Sequence, residues 1–496
     1  MRSLVLPIML GGILAGPAAA QRPVLQSIPQ SLTLDEAVDL ALRYNRTYRQ
    51  VANDRSAAGW GVRNAYSQLF LPSVSAGLGF GYRGAGSQVF AASTFAQESS
   101  TIGSDYDLSL NWQLSGATLT LPGLAKAERR ATVAQIEGAE VNLRAAVQQQ
   151  YLAALQAEAQ VRIVEIQVTR NDEFLRLAQA RFQVGQATML DVRQAEVAKG
   201  QAEVSLLQAR QNVLVEKLRL FQQLGLPAPE DPNVVTLPDS FPITERTWAL
   251  ADLLRSADEG NPDVAVLEAR AAAARSNEKS AKAQWLPTLN FSAGWSGYTQ
   301  EFTNPNYLIT SAQNQLDSQR DECDYANGNW LNAGAAALPC QELTLTPEDE
   351  QDIIAGNNAF PFSFTGQPFS ARVSLSLPIF TQFGREARIS EAAQLADDAR
   401  ERAEDQRLIV RTNVSQAYYG LIAAYQAIGI QETSRVAAQE QLRLATERYR
   451  VGSGTFFELL DAQVAEQRAQ ADYINAIYAY HRTIAALEAA VGRPLR

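Results

Sequence analysis

The chain has 496 residues, of which 46% are hydrophobic and 19% are charged, a composition typical of folded rather than disordered proteins. One histidine and two cysteines exclude zinc fingers, histidine-rich metal sites and disulfide-dense scaffolds. A formal net charge of −10 without basic clusters argues against nucleic acid as a partner.

The first twenty residues, 1–20, have the pattern of a secretory signal peptide. Arg2 precedes a charge-free apolar stretch that ends in three alanines. A transmembrane anchor is the alternative, but Pro7 and Pro17 interrupt the apolar run. We therefore expect an exported chain that begins at Gln21. No later stretch is apolar over the roughly 18 residues that a transmembrane helix needs.

A duplication follows. Arg181 to Gly185 (RFQVG) recurs 267 residues later as Arg448 to Gly452 (RYRVG). A constant offset over about 80 residues is typical of an internal repeat. We predict a first repeat over 21–245 and a second over 246–496, with an insertion at 299–369 in the second.

Each repeat begins with a signal for a helix start. Thr33, directly before an acidic first turn, is a predicted N-cap, and Thr247 is expected to have the same role in the second repeat.

Two segments of each repeat alternate apolar with small or polar residues. Their bounds are about 72–83, 105–114, 287–298 and 370–380. A half-buried soluble sheet is the alternative, but export and a polar face rich in Gly, Ser, Asp and Asn favour transmembrane β-strands. Four strands cannot close a barrel and lipid tolerates no open sheet edge, so several chains would have to share one barrel.

Long helical tracts follow the strands. Apolar residues at 3-4 spacing run from Val147 to Phe182 in the first repeat and from Val414 to Tyr449 in the second. Four or more heptads predict coiled-coil packing. We expect a helix of about 60 residues in each repeat, then a Val-Gly break and a second helix of about 35 to 40 residues.

The order of these signals resembles the TolC-like outer-membrane efflux channel family. The segment Leu32 to Asn45, the Leu-Pro pairs at 71–72 and 286–287, and the two Arg-aromatic-x-Val-Gly motifs carry the resemblance. It implies an α+β membrane protein and a homotrimer. Its twelve-stranded β-barrel, with four strands per chain, would continue into an α-helical coiled-coil barrel in the periplasm.

The resemblance also implies a function. The protein would be the passive exit duct of a tripartite efflux or type I secretion system in the outer membrane. Its partners would be a periplasmic adaptor protein, an inner-membrane pump and outer-membrane lipid.

Specific residues match functional positions of that family. Glu458 and Asp461, at i, i+3 spacing on one helix face, would ring the constriction of the pore. Two solvated surface carboxylates are the alternative. Asp191 and Tyr449 match a link that holds the periplasmic tip closed. Gly454 stands where the family has an arginine, so the closed state is expected to be held differently there.

The two Val-Gly breaks are the expected contact surface for the adaptor, unless their glycines simply turn the chain. The residues concerned are Arg181, Val184, Gly185, Arg448, Val451 and Gly452.

Cys323 and Cys340 both lie in the insertion of the second repeat, 17 residues apart. In an exported chain a disulfide that staples an external loop is favoured, and two free thiols are the alternative.

No residues support an enzyme, a cofactor or a metal site. His481 lies in a heptad helix, and nothing resembles a nucleophile–base pair. A periplasmic coiled-coil scaffold or adaptor with a soluble sheet remains the alternative function, although it leaves the alternating strands unexplained.

Overall fold

A computed structural model describes residues 29–495 apart from 91, 92, 98, 246, 333 and 335. The predicted signal peptide lies outside the described residues. Among the helices of the described chain, none combines the length and the apolar character needed to cross a membrane. The structure divides into two compact units. Of the described residues, a helical unit contains 29–58, 129–271 and 398–495, and a sheet unit contains 59–128 and 272–397.

Helices dominate the described chain. In chain order the helices and strands are α1 (Leu34–Tyr44), α2 (Arg46–Phe70), β1 (Ser73–Arg83), β2 (Gly86–Phe90), β3 (Ser93–Gln97), β4 (Thr101–Leu114), α3 (Gly116–Gln183), α4 (Met189–Leu224), α5 (Leu250–Gly260), α6 (Pro262–Lys282), β5 (Thr288–Phe302), α7 (Asn306–Asn332), α8 (Pro347–Gly356), β6 (Thr365–Gly366), β7 (Ser370–Ser376), α9 (Gly384–Arg450) and α10 (Phe456–Val491).

One of the two predicted helix starts is confirmed. The hydroxyl of Thr33 accepts the N–H of Glu36 at 3.3 Å, and the Glu36 carboxylate accepts the N–H of Thr33 at 3.0 Å, which forms a capping box at the start of α1. The expectation for Thr247 is wrong. Helix α5 starts at Leu250, and its N-cap Ala249 has no side-chain group that could accept a hydrogen bond.

The long helices form two antiparallel pairs. Helices α3 and α9 contain 68 and 67 residues, and each is followed by a helix of 36 residues, α4 or α10. At 1.5 Å per residue, the longer helices extend for about 100 Å. The expected seam is buried at its first positions, Val147 in α3 and Val414 in α9, and at Tyr449, its last position in α9. Phe182, the last seam position of α3, is exposed.

Near α1, the core of the helical unit is built around one buried tyrosine, Tyr151. The Tyr151 hydroxyl, in α3, donates to the Asp239 carboxylate at 2.7 Å. The same carboxylate oxygen accepts the backbone N–H of Leu34 at 2.6 Å. Asp239, which lies in the proline-rich segment after α4, therefore joins that segment to both α1 and α3.

Replacing Tyr151 with phenylalanine should reduce the sensitivity of the fold to alkaline pH. Burial and the Asp239 carboxylate raise the pKa of Tyr151, so the folded state keeps the proton above about pH 10, where unfolded tyrosines ionise. The stability from this group is complete below about pH 10 and is lost as the pH rises above that value.

We expect Tyr151→Phe to lower the free energy of unfolding by about 1 kcal/mol at pH 7, from the lost hydrogen bond, and to reduce the further loss above pH 10. Urea unfolding of the variant and wild type at both pH values measures this. Tyr419→Phe, at an exposed site, is the control. An alkaline loss as large in Tyr151→Phe as in wild type would contradict the assignment.

The sheet unit contains an antiparallel sheet in which β1, β4, β5 and β7 lie side by side. The two-residue strand β6 pairs with β5 as well. In the register, Val74 lies opposite Leu110, Leu108 opposite Trp295, and Phe291 opposite Val373. The apolar residues of successive strands therefore share one face of the sheet.

The opposite face carries small and polar residues. Gly79 lies opposite Asp105, and a Cβ at Gly79 would stand 2.6 Å from the Asp105 carboxylate. Asp107 occupies the space beside Gly77 in the same way. The carboxylates of β4 therefore lie against the backbone of β1 at these glycines, and a larger residue there would have to displace them.

Two strands extend beyond their predicted bounds: β4 begins four residues before 105, and β5 continues to Phe302, inside the segment expected to be an insertion. The strand expected at 370–380 is shorter, since β7 ends at Ser376. Neither the β2–β3 hairpin nor the helices α7 and α8 were expected from the sequence. Within the insertion, a disulfide joins Cys323 of α7 to Cys340, with their Cα atoms 5.7 Å apart.

Candidate functional site

A five-residue turn joins the two helices of each long pair, and the two turns have a similar backbone conformation. We call 184–188 the first turn and 451–455 the second turn. Gly185 and Gly452 have φ angles of +74° and +84°, in the left-handed region where glycine alone is unstrained. This explains locally why each Val-Gly motif ends a helix.

A threonine then starts the returning helix in each pair. The hydroxyls of Thr188 and Thr455 each accept a backbone N–H at 3.2 Å, from Asp191 and Glu458 respectively. Asp191 and Glu458 are therefore equivalent residues of the two repeats, both in the first turn of a helix. Of these two carboxylates, Asp191 also completes a capping box by accepting the Thr188 N–H at 2.9 Å, whereas no such bond is formed between Thr455 and Glu458 in the described chain.

An apolar cluster, the tip core, joins the ends of all four long helices. Its buried members are Phe174, Ala178, Val192, Ala195, Leu442, Tyr449, Phe456, Leu459 and Ala462. Because residues from both repeats contribute, the two turns are held together by packing and not only by the chain.

Arg181 makes the polar connection across the tip core. Its Nη1 donates to the backbone carbonyl of Tyr449, and its Nη2 donates to the carbonyl of Gln186 at 3.0 Å. The guanidinium also lies over the Tyr449 ring, 4.5 Å from its centroid. The side chain of Arg181 thus binds the first turn and the end of α9 at once.

Tyr449 and Asp191, the expected gate link, are not hydrogen-bonded to each other in the described chain. Burial raises the pKa of Tyr449, and the negative charge of Asp191 raises it further, while Arg181 lowers it. The Oδ2 of Asp191 accepts the N–H of Thr188 in its own helix cap. Tyr449 is held by the cation–π contact and by packing on Phe456, at 5.6 Å between ring centroids.

Glu458 and Asp461, the expected constriction pair, are both exposed on the first turns of α10. Their backbone positions place them on one side of the helix. Glu458 also lies 3.5 Å from the Nη2 of Arg448. Both carboxylates are therefore exposed to water. The negative charge of Glu458 is partly balanced by the positive charge of Arg448.

The expected adaptor surface is partly exposed. Val184 and Val451 project into solvent, and Gly185 and Gly452 beside them are exposed too. Arg181, which the sequence placed in the same surface, is buried in the tip core and is not accessible to a partner.

Sequence reasoning missed the role of Arg181 as a connection between turns. Arg181 recurs as Arg448 at the 267-residue offset, but the sequence does not show that one of the two arginines is buried and the other exposed. The Thr-x-x-Asp and Thr-x-x-Glu patterns at 188–191 and 455–458 are capping signals that could have placed the helix starts.

Among the residues that the structure describes, no three His, Cys, Asp or Glu side chains are grouped to hold a metal ion.

A four-stranded antiparallel sheet with one apolar face, combined with two pairs of very long helices that meet at short turns, defines a channel-type export protein. The family model described as "Outer membrane efflux protein" matches residues 37–226 and 253–493. The chain therefore belongs to the outer membrane efflux protein family.

Relatives and a solved structure agree with this assignment. The pyoverdine export outer membrane protein OpmQ of Pseudomonas putida is 28% identical over 60% of this chain and 67% of that protein. The alkaline protease secretion protein AprF of Pseudomonas aeruginosa is 32% identical over 26% of each chain. The structure of the outer-membrane channel OprN has a TM-score of 0.69 at 20% identity, covering 92% of this chain and 89% of that one.

The family membership decides three points that the sequence had left as expectations. The protein is an outer-membrane export channel and not an enzyme. It is located in the outer membrane, with its helical part in the periplasm. A periplasmic scaffold or adaptor, the alternative function, is not supported.

Proposed function

We propose that three copies of this chain form one continuous duct, with a twelve-stranded β-barrel in the outer membrane and a twelve-helix tunnel in the periplasm. The observation that carries this proposal is the sheet. Within the described residues, β1 and β7 each pair on one side only, and the apolar face exposes Val74, Trp295 and Val373. Open edges are not tolerated in lipid, and joining β1 of one copy to β7 of the next removes them.

The two faces of the sheet fit this arrangement. Leu78 and Leu375 would face outer-membrane lipid, while Asp105, Asp107 and Arg372 would line the water-filled interior. The repeats 21–245 and 246–496 would each supply half of the strands and helices of a copy. The insertion 299–369, closed by the disulfide, would lie on the external side.

The periplasmic tip would be the gate and the docking surface of this duct. Three copies of Glu458 and Asp461 would form two anionic rings at the constriction. Val184, Gly185, Val451 and Gly452 would meet a periplasmic adaptor, which connects the duct to an inner-membrane pump. Separation of the helix tips at the tip core would open the duct to the solutes that the pump delivers.

Native mass spectrometry of the detergent-purified protein, with conductance in planar bilayers, tests this proposal. We expect a trimer whose channels favour cations. A monomer that is extracted by buffer without detergent and gives no conductance would contradict it.

A further inference from the structure

The two tip turns have different surroundings although their sequences repeat. Tyr449, the last seam residue of α9, is 3% exposed, whereas its repeat equivalent in α3, Phe182, is 40% exposed. The guanidinium of Arg181 covers the Tyr449 ring, while no cation–π contact on Phe182 occurs within the described chain. The first turn therefore presents an uncovered aromatic ring at a position that is covered in the second.

Arg448 is the repeat equivalent of Arg181, and it makes only part of the equivalent contacts. Its Nη2 donates to the Ser453 carbonyl at 3.3 Å, as the Nη2 of Arg181 donates to the Gln186 carbonyl at 3.0 Å. The Nη1 of Arg181 donates to Tyr449, but in the described part of the chain the Nη1 of Arg448 donates no hydrogen bond. The side chain of Arg448 is 59% exposed.

The carbonyl groups show the same difference. The Tyr449 oxygen accepts the Gly452 N–H at 3.2 Å and also the Arg181 guanidinium. The Phe182 oxygen accepts the Gly185 N–H at 3.0 Å and, among the described residues, nothing else. A carbonyl oxygen has two lone pairs, so Phe182 retains the acceptor site that Tyr449 has already used.

Each copy thus carries an unused donor at the second turn and an unused acceptor with an uncovered ring at the first turn. They are two different surfaces of one chain, so a contact between them is head-to-tail. Head-to-tail contacts of this kind close into rings when the rotation between copies allows it.

We propose that Arg448 binds Phe182 of a second copy of this chain, donating from Nη1 to its carbonyl and covering its ring. The contact repeats between copies what Arg181 does within one, and it rests on the proposed function because it requires copies arranged in a ring. Around a trimer, six arginine–aromatic contacts would join the turns, three within chains and three between them.

The charges around Arg448 are compatible with this contact. The Oε2 of Glu458 lies 3.5 Å from Nη2, beyond the distance of a hydrogen bond between two well-aligned groups. The guanidinium can therefore keep its carboxylate neighbour while Nη1 and one face of the group bind the second copy.

Photocrosslinking of the full-length protein tests the contact. Benzoyl-phenylalanine replaces Phe182, an exposed aromatic residue, and the detergent-purified protein is irradiated. We expect a ladder of covalent dimers and trimers on a denaturing gel, with the crosslinked peptide mapping to 447–453. The same probe at Tyr449 is the matched control, and it should crosslink around Arg181 of its own chain without a ladder.

A second variant separates contact from proximity. Arg448→Ala, combined with the probe at Phe182, should reduce the ladder several-fold, whereas Arg450→Ala should leave it unchanged. Native mass spectrometry of the same samples reports the oligomer. If the protein is not a trimer, the proposed function fails. If it is a trimer and the Phe182 probe labels only its own chain or other peptides, the trimer stands and the Arg448–Phe182 contact is wrong.

Discussion

Replacing Glu458 with glutamine and Asp461 with asparagine should remove most of the cation preference of the channel. Both carboxylates are exposed on one side of α10, directly after the second turn. In a trimer each would occur three times around the pore axis. The amide replacements keep the size of each side chain and the threonine cap at 455, so the expected effect is that of charge alone.

The size of the effect follows from the ring geometry. A cation about 8 Å from one carboxylate in a water-like dielectric gains about 0.5 kcal/mol, so a ring of three supplies about 1.5 kcal/mol. That energy corresponds to roughly a tenfold change in the ratio of cation to anion permeability. Salt screens such charges, with a Debye length near 10 Å at about 0.1 M and near 3 Å at about 1 M. The difference in permeability ratio between wild type and the variant should therefore shrink in concentrated salt.

Reversal potentials in asymmetric KCl, measured in dilute and in concentrated salt, check this prediction. The control variant, Glu401→Gln with Asp405→Asn, removes two exposed carboxylates from α9 far from the turns. It should leave the reversal potential unchanged. Equal potentials for wild type and the Glu458–Asp461 variant would exclude these residues from the constriction.

Local sequence signals were sufficient to predict much of the structure at the tip. Gly185 and Gly452 end their helices because of their own backbone freedom, and Thr33 caps α1 with groups three residues away. The seam follows from the spacing of apolar residues in a single helix. Such features depend on neighbours in the chain, and a repeat displays them twice.

Contacts between distant residues were less predictable. The sequence placed Arg181 on an exposed surface because it has no signal for a carbonyl 268 residues away. Asp191, expected to be linked to Tyr449, makes no hydrogen bond to it within the described chain and caps its own helix at Thr188. The helices α7 and α8 were missed because the insertion has no counterpart in the first repeat with which to compare it.

Replacing Arg181 with alanine should separate the two turns and open the resting channel. Arg181 is 9% exposed and supplies the polar groups that satisfy the Tyr449 and Gln186 carbonyls. The bond to Tyr449 crosses between the two turns, whereas the bond to Gln186 stays within the first turn. A lost hydrogen bond to a charged donor costs about 1.5 kcal/mol or more, so the joined state should lose about that much per copy. That loss changes the ratio of separated to joined turns by about tenfold.

Two measurements check this prediction. The resting conductance of Arg181→Ala in planar bilayers should exceed that of wild type, and amide exchange should accelerate at residues 178–192 and 449–459, which surround the tip core. Arg176→Ala is the matched control, because Arg176 lies on the same helix, is exposed and forms an ion pair with Asp172, one turn earlier in that helix. It should leave both measurements as in wild type.

The two readouts also distinguish the role of Arg181 from general destabilisation. If Arg181 joins the turns, exchange should rise at the tip core while amides around Tyr151, near the middle of the same helix, keep their protection. Uniform acceleration along α3 would instead indicate that Arg181 stabilises the whole helical unit. Unchanged exchange and conductance would show that packing of Phe174, Phe456 and Leu459 alone holds the turns together.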